Sequence, residues 1–378
     1  MFVSVVMPCL NEHETLGICI KKAASTLEHL NIDGEIIVAD NGSTDGSIEI
    51  ARSLGARVVE ESKKGYGNAY RAGIAAANGD FIVIGDSDDS YDFTDIGRFI
   101  TKLREGYDLV MGTRFRGQIK KGAMPWLHKY VGNPVLTGIL NIFFRSGISD
   151  AHCGMRGFTK SAYNRMQLQT AGMEFASEMV IKASLLDLKI TEIPITLHPD
   201  GRSGEPHLRS FRDGWRHLRF MLLHSPTHLY FWPGFFMFIM GFFAMVALLP
   251  GSSPLMGRYV DLHFMVLGSF FSILGFQTIA LGLYARIYAV THNFIPQGQF
   301  LNRMFKIFNL ERGLALGAAI FLAGLSIGIY LFIKWLQTHY GPLDQVRLAL
   351  FASTLMIIGA QTIFSSFFLS MLGIERRK

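Results

Sequence analysis

The residues Asp86-Ser87-Asp88-Asp89 follow directly on the apolar run Phe81-Ile82-Val83-Ile84-Gly85. Carboxylates crowded at a strand end repel one another unless a cation neutralises them, and hard oxygen ligands of this kind suit Mg²⁺ or Mn²⁺. A metal held there can bridge a diphosphate. An EF-hand is excluded, because Tyr91 and Gly97 stand where that loop needs its glycine and its glutamate. The plainer alternative is an acidic helix N-terminus stabilised by the helix dipole.

Two further polar clusters close apolar runs: Pro8-Cys9-Leu10-Asn11-Glu12, and Ala39-Asp40-Asn41-Gly42-Ser43-Thr44-Asp45-Gly46. Their side chains can hydrogen-bond a nucleobase and a ribose, although either cluster alone reads as a turn and a helix cap. Gly65-Tyr66-Gly67-Asn68 is a glycine-rich turn into a helix, a weak signal for a dinucleotide. A Walker A lysine motif is missing from the sequence, which gives no support to a P-loop NTPase. The three cysteines, Cys9, Cys19 and Cys153, form no CxxC and have no histidine at zinc spacing, so neither a disulfide framework nor a structural zinc is indicated.

These clusters sit at the ends of runs that alternate with helix-length segments. Strands are expected at FVSVVMP, EIIVAD, RVVEE, FIVIGD and DLVMG, with helices near 14–30, 44–54, 68–77 and 94–105. Runs so apolar, punctuated by helices, imply a mainly parallel sheet covered on both faces, whose site lies beyond the C-terminal strand ends. That rule selects 8–12, 40–45 and 86–92.

After about residue 228 the composition changes, and four apolar stretches follow at 229–249, 262–285, 313–333 and 348–372. The shortest, as a helix, is roughly 31 Å long, enough to cross the hydrocarbon core of a bilayer. Between the two parts, Leu208, Phe211, Trp215, Leu218 and Leu222 recur at helical spacing, with Arg209, Arg212, Arg216 and Arg219 one position later. This pattern predicts an amphipathic helix over 207–228 lying in the headgroup plane. A repeat is visible at an offset of 84 residues, Gly275-Phe276-Gln277-Thr278-Ile279 against Gly359-Ala360-Gln361-Thr362-Ile363, which implies two helical hairpins of like orientation. Gln277 and Gln361 are expected to hydrogen-bond between helices, and Gly313, Gly317, Gly324 and Gly328 to pack inside the bundle.

Charge sharpens the division. The 378 residues carry a formal charge of +6, only 17% of them are charged, and 31 are Phe; the mean hydropathy is +0.27. Disorder is excluded. Residues 1–228 hold 26 basic and 26 acidic side chains, so the whole excess belongs to the apolar part and no basic stripe is left to follow a nucleic acid. With the N-terminal domain inside, eleven cations flank the inner ends of the spans (Arg209, Arg212, Arg216, Arg219, Arg286, Arg303, Lys306, Arg312, Arg376, Arg377, Lys378) and three the outer ends (Arg258, Lys334, Arg347). This asymmetry places the N-terminal domain and both termini in the cytoplasm. The apolar start at 1–10 has no cationic lead and reads as a first strand, not a signal peptide.

Taken in order, VSVVMPCLNE, VADNGSTDGS, KKGYGNAYRAG, IGDSDDSYD, VMGTRFRG, SDAHCGMRGF and DGRSGE resemble the GT-A glycosyltransferases of family 2. More narrowly they are similar to polyprenyl-phosphate glycosyltransferases of the dolichyl-phosphate mannose or glucose synthase type. The resemblance covers about 1–206. It implies an α/β fold, a GT-A, Rossmann-like domain with a mainly parallel sheet over 1–206; the composition beyond it adds the interfacial helix over 207–228 and a four-span helical membrane domain over 229–378. It also implies that Pro8, Asn11, Glu12, Asp40 and Asp86 bind the donor nucleotide and that Asp86 and Asp88 hold the metal, Mg²⁺ or Mn²⁺, with Asp88 the main ligand. Asp89 is an extra acid ranked below them. Asp88, Asp150 and Arg114 are implied as catalytic, and Arg114, Lys129, Asn133, Arg156 and Arg202 as the side that takes the acceptor and phosphates. Asn133 departs from the family's hydroxyl.

The function implied is metal-dependent, inverting transfer of a hexose from a nucleotide sugar to polyprenyl phosphate, undecaprenyl or dolichyl, in the cell (inner) membrane, with the catalytic domain on the cytoplasmic leaflet. UDP-glucose is preferred over GDP-mannose. Membrane lipids are partners, nucleic acid is not, and a homo-oligomer is compatible with the resemblance. A lipid phosphate, with a second pKa of about 6, is already a nucleophile at neutral pH and needs no strong base. Two other classes stay open. A processive polysaccharide synthase would make products longer than one sugar, but no Arg-Trp pair of a QxxRW motif is present. A lipid-sugar transporter with a nucleotide-binding domain would translocate pre-made lipid-linked sugar without donor.

Overall fold

The computed structural model describes residues 2–202, 210–255, 258–291 and 309–374. The chain divides into two compact units, Met1–Met221 and Leu222–Lys378.

In the first unit the strands are β1 (Val3–Cys9), β2 (Gly34–Asp40), β3 (Arg57–Glu60), β4 (Phe81–Ile84), β5 (Leu109–Ile119), β6 (Arg156–Thr159) and β7 (Ile190–Leu197). They form one seven-stranded sheet in the order β3-β2-β1-β4-β6-β5-β7. All neighbours run parallel except β6, which is antiparallel to β4 and β5. The helices are α1 (Leu16–His29), α2 (Ser47–Ser53), α3 (Tyr66–Ala76), α4 (Ile96–Arg104), α5 (Asn133–Phe144), α6 (Lys160–Met166), α7 (Phe175–Leu185) and α8 (Ser210–Leu223).

Strand β1 shows why the fold is two-sided. Val3, Val5 and Met7 join one core with Leu16, Cys19, Ile20 and Ala23 of α1, while Val6 joins the other with Tyr70 and Ile74 of α3. Alternate side chains of a strand point to opposite faces, so a run apolar at every position is buried on both. The chain winds outward from β1 through β2 to β3 and then returns to place β4 on the other flank of β1. The crevice beyond β1 and β4 is therefore the switch point at which such sheets bind ligands. Register completes the arrangement: Cys9 pairs with Asp40 and Val6 with Ile84, so the three polar clusters leave the sheet side by side.

Helix α8 packs on its unit through a face that the sequence pattern did not single out. Its buried residues are Asp213, His217 and Met221, whereas Phe211 and Trp215 of the expected apolar stripe are 85% and 58% exposed. The helix packs on its unit through that face: the Ser177 hydroxyl and His217 Nδ1 are 2.8 Å apart and Met221 joins the core with Tyr70 and Phe175, while within the helix Arg216 lies 3.7 Å from Asp213. Phe211 and Trp215 of that stripe, with Arg212, Arg216 and Arg219, remain on the surface, while Leu218 and Leu222 are half-buried. Leu208 and Arg209, and likewise Arg303, Lys306, Arg376, Arg377 and Lys378, lie outside the described residues.

The second unit contains α9 (Trp232–Leu248), a two-stranded ribbon of β8 (Ser253–Leu255) and β9 (Arg258–Val260), then α10 (Leu262–Thr291), α11 (Leu310–Gln337) and α12 (Val346–Ile374). Four helical segments, Thr227–Leu248, Leu262–Thr291, Leu310–Gln337 and Val346–Leu372, are long and apolar enough to cross a membrane. The repeat recurs in the packing. An added Cβ at Gly234 would meet the Gly275 carbonyl oxygen at 2.8 Å, and one at Gly317 would meet that of Gly359 at 2.9 Å. Each hairpin thus brings its helices together at a pair of small residues. The hairpins are joined through α10 and α12, where the Ser269 and Thr354 hydroxyls share a buried bond of 2.7 Å.

Two expectations fail here. Gln277 is exposed on α10 and does not face protein, and among the described residues the buried Gln361 Oε1 has no hydrogen-bond partner. Gly328 meets nothing within 4 Å, while Gly313, Gly317 and Gly324 pack on α12. The helical repeat sets which residues share a face, and lipid tolerates a small residue on its own side. Asp261, just before α10, pairs with Arg347 at the start of α12.

Candidate active site

Strand β4 delivers Asp86 to the floor of the crevice. Its Oδ1 accepts bonds from the Tyr66 hydroxyl at 2.8 Å and the Tyr70 hydroxyl at 3.2 Å. Sequence reasoning missed both tyrosines; their spacing of one helical turn at the start of α3 was the available signal. The glycines of the Gly65-Tyr66-Gly67 turn serve packing: a Cβ at either would lie 2.3 Å from the carbonyl oxygen of Ala171 or Thr170. That backbone is pinned in turn by Glu178, whose carboxylate accepts from the amides of Gln169 and Thr170 and pairs with Lys182 at 2.8 Å. Burial, then the charge of Asp88, pushes the Asp86 carboxyl up to about 6, and burial beside Asp86 holds both tyrosines well above their ordinary pKa as firm donors.

Asp86 Oδ2 faces Gly154, where an added Cβ would come within 2.5 Å of it. Glycine at 154 keeps that oxygen's surroundings clear. Asp88 turns its Oδ1 to the amide of Ser90 at 3.0 Å and its Oδ2 towards Arg202 Nη2 at 3.5 Å. Asp89 separates from this pair. With φ of +60° it swings back to Lys22, whose ammonium lies 2.7 Å away, so its charge is already neutralised.

No group of three or more His, Cys, Asp or Glu able to hold a metal occurs among the described residues. Two carboxylates at a strand end nevertheless fit Mg²⁺ or Mn²⁺, which take few protein ligands and complete their shell with water and phosphate oxygens. The space that a Cβ at 154 would fill supports the same reading. The cysteines are no alternative: Cys9, Cys19 and Cys153 are buried, and burial pushes their thiols up to about 11, 12 and 12.

The nucleotide-side residues line up at the ends of β1 and β2. Pro8 gives its carbonyl to the Ser87 hydroxyl at 2.5 Å. Asn11, at φ +58°, uses its side-chain oxygen to accept from the Thr44 amide at 2.8 Å, and Asp40 accepts from the amides of Gly42 and Ser43, so these two shape the loop they were expected to read from. Glu12 is buried; its Oε1 meets Arg202 Nη1 at 2.9 Å. Burial, outweighing Arg202, pushes its carboxyl up to about 7.

Arg114 and Asp150 form a bidentate pair, Nε to Oδ2 at 2.7 Å and Nη2 to Oδ1 at 2.8 Å, with the Arg114 amide also donating to Oδ2. Asp150 is fully buried, so its route to chemistry is through the guanidinium it holds. Arg156 must be corrected outright. It is 1% exposed, and Nε, Nη1 and Nη2 donate to the carbonyls of Cys153, Ala176 and Ala151 at 2.8, 2.6 and 3.0 Å. A guanidinium spent on backbone inside the fold is not offered to a phosphate. Lys129 and Asn133 make their contacts within their own segment: Lys129 lies over the Tyr130 ring at 5.3 Å, and Asn133 opens α5 beside Met124. Their segment is apolar and exposed, with Trp126 at 67% and Ile142 at 68%.

Comparison with known proteins follows this division. Residues 4–166 match the profile of glycosyl transferase family 2, and residues 283–373 that of the glycosyltransferase family 2 C-terminal transmembrane region. A low-salt glycan biosynthesis hexosyltransferase, Agl6, from Haloferax volcanii is 40% identical over 98% of this chain and 89% of its own length. A dolichyl-phosphate hexose transferase from the same organism is 29% identical over 56% of this chain and 89% of its own. Among solved structures, glucosyl-3-phosphoglycerate synthase from Mycobacterium tuberculosis, crystallised with Mn²⁺ and UDP-glucose, aligns at 23% identity with a TM-score of 0.47, over 59% of this chain and 78% of that one.

Proposed function

This chain belongs to glycosyltransferase family 2 and is an integral membrane glycosyltransferase; on that premise we propose that it moves a hexose from a nucleotide sugar to polyprenyl phosphate with inversion. The catalytic unit and both termini face the cytoplasm in this reading, in the cell membrane, and the domain limits are 1–206, 207–228 and 229–378.

The observation that carries it is the two-sided charge of the crevice. Asp86 and Asp88 stand at the β1/β4 switch point, while Arg114, oriented by buried Asp150, and Arg202 supply cations for two anions. When bound at Asp86 and Asp88, a divalent cation, Mg²⁺ or Mn²⁺, would offset negative charge on the departing nucleotide as a Lewis acid. The rest falls to the chain. Tyr66 and Tyr70 hold Asp86 in one orientation. Asp150 fixes the orientation of Arg114, whose Nη1 lies outside the bidentate pair, as a donor for the acceptor phosphate. The acceptor is a dianion near neutral pH, so proton abstraction is not required and the task is to align two anions. The hexose and dolichyl phosphate in the names of the two relatives support the substrate classes.

Lipid access is supported by exposed aromatic and aliphatic side chains in the catalytic unit, Trp126, Tyr130, Val135 and Ile142, beside Lys129 and Asn133, and by Phe211 and Trp215 with their arginines on α8. Such a surface suits the boundary of an anionic leaflet. The test is incubation of membranes holding the protein with a panel of labelled nucleotide sugars and with undecaprenyl or dolichyl phosphate. UDP-glucose, ahead of GDP-mannose, should give a lipid carrying one acid-labile sugar. Chains longer than one sugar, or no lipid product with any donor, would sink the reading.

A further inference from the structure

Arg202 is shared among three carboxylates. Its Nη1 meets Glu12 at 2.9 Å, its Nη2 lies 3.5 Å from Asp88 Oδ2, and it also hydrogen-bonds Asp200 through Nε and Nη2. Only 15% of its side chain is exposed. Although burial opposes its charge, Asp200, Glu12 and Asp88 hold its pKa well above the ordinary arginine value. The segment that carries it is anchored to the metal-site loop by backbone: the amides of His198 and Gly201 donate to the carbonyls of Ser90 and Asp88 at 2.9 and 3.0 Å.

A guanidinium therefore lies against the carboxylate oxygen that a divalent cation needs. The two cannot occupy that side of Asp88 together without strong repulsion at this distance. Asp88 and Asp200 outnumber the one cation even when Glu12 is protonated, so the cluster keeps a net negative charge and a donor diphosphate approaching alone is repelled. If the donor brings the metal, both problems are resolved at once. The metal takes Asp88, and Arg202 exchanges a carboxylate for phosphate oxygens, which it binds bidentately.

We propose that Arg202 stands in for the divalent cation at Asp88 in the donor-free protein, so that metal and nucleotide bind as a coupled pair and not independently. This rests on the metal-dependent transfer argued above. In the coupled scheme Arg202 is a positioning residue for the metal as well as a contact for the donor. Affinity for metal alone is low because Arg202 must first be displaced, and affinity for nucleotide alone is low because the carboxylates remain uncompensated. By reciprocity each raises the other's affinity by the same factor.

The experiment is Mn²⁺ binding to the full chain in detergent, followed by the electron paramagnetic resonance signal of free Mn²⁺, with and without UDP or GDP and with no acceptor. Wild type should bind Mn²⁺ at least tenfold more tightly with one of the nucleoside diphosphates. Arg202→Gln should bind Mn²⁺ about tenfold more tightly than wild type in the absence of nucleotide, and the nucleotide-induced gain should shrink. Arg202→Lys, which keeps a cation on the same segment, should stay close to wild type and guards against a folding artefact in the glutamine variant. Equal or weaker Mn²⁺ binding by Arg202→Gln, with coupling intact, overturns the stand-in role and leaves metal-dependent transfer standing. Wild type that binds no Mn²⁺ even with nucleotide overturns both.

Discussion

Two arginine–aspartate pairs belong to the candidate site, and they are built for different work. Arg114 and Asp150 are matched one to one, with two parallel bonds, and the carboxylate is wholly buried. Arg202 and Asp88 are 3.5 Å apart at their nearest, and Arg202 divides itself between Asp88, Glu12 and Asp200. A buried bidentate pair is rigid and costly to disturb, whereas a cation shared among three carboxylates, one of them the partly exposed Asp88, can be exchanged. The first pair holds an arginine in place for the acceptor side. The second leaves the donor side adjustable.

The largest break in this comparison comes from the exchangeable side. Asp88→Asn removes the charge that draws the metal while keeping shape, so transfer should fall by about 10³-fold or more, the scale of losing a group that stabilises charge in the transition state. The protein should still fold and reach the membrane. Initial-rate assay of lipid-linked sugar, with protein level checked on the same membranes, decides it.

On the rigid side the expected effect is on folding. Asp150→Ala leaves Arg114 buried and unpaired, which should destabilise the catalytic unit by about 3–5 kcal/mol. Thermal unfolding in detergent reads this directly. An Asp150→Ala protein that melts like wild type would mean that the pair is not rigid, and the contrast with Arg202 would vanish.

The smallest effect is in pH. His217 on α8 is bonded to Ser177, which also reaches His152, two residues from Asp150. Burial, and the cationic Arg156, hold His217 down to about 4 against the pull of Asp213 and an ordinary value of 6.5. A histidine with a depressed native pKa binds protons in the unfolded chain first, so stability is lost as pH falls from about 6.5 to about 4. The loss should approach roughly 3 kcal/mol for this group. His217→Gln should flatten that part of the profile relative to wild type, measured as the difference in melting temperature across the window. Parallel profiles would remove His217 from the support of the rigid side.

The family resemblance rested on seven motifs in order, and family membership bears it out. The strands were legible because burial on both faces makes every position apolar, and the spans because lipid imposes both length and composition. Two strands were not: the antiparallel β6, Arg156–Thr159, is four residues long with no period to read, and the edge strand β7, Ile190–Leu197, carries Glu192 and Pro194 among its apolar residues. Site residues divided similarly. Asp86 and Asp88 announce themselves by crowding, while Tyr66, Tyr70 and Gly154 carry no mark of their role until α3 and the turn before β6 converge on Asp86.

What the sequence by itself determined is whatever depends on neighbours along the chain: alternation, helical spacing, an acidic cluster after a strand, and a surplus of cations beside apolar spans. Only the tertiary structure decided which charge answers which. Arg114, Arg156 and Arg202 are indistinguishable as letters, yet one is clamped to Asp150, one is spent on three carbonyls, and one is shared among Glu12, Asp88 and Asp200. Electrostatic and hydrogen-bond energies depend on distance and burial. For Arg202 and Glu12, 190 residues apart in the chain, those quantities exist only once the sheet has brought both to one edge.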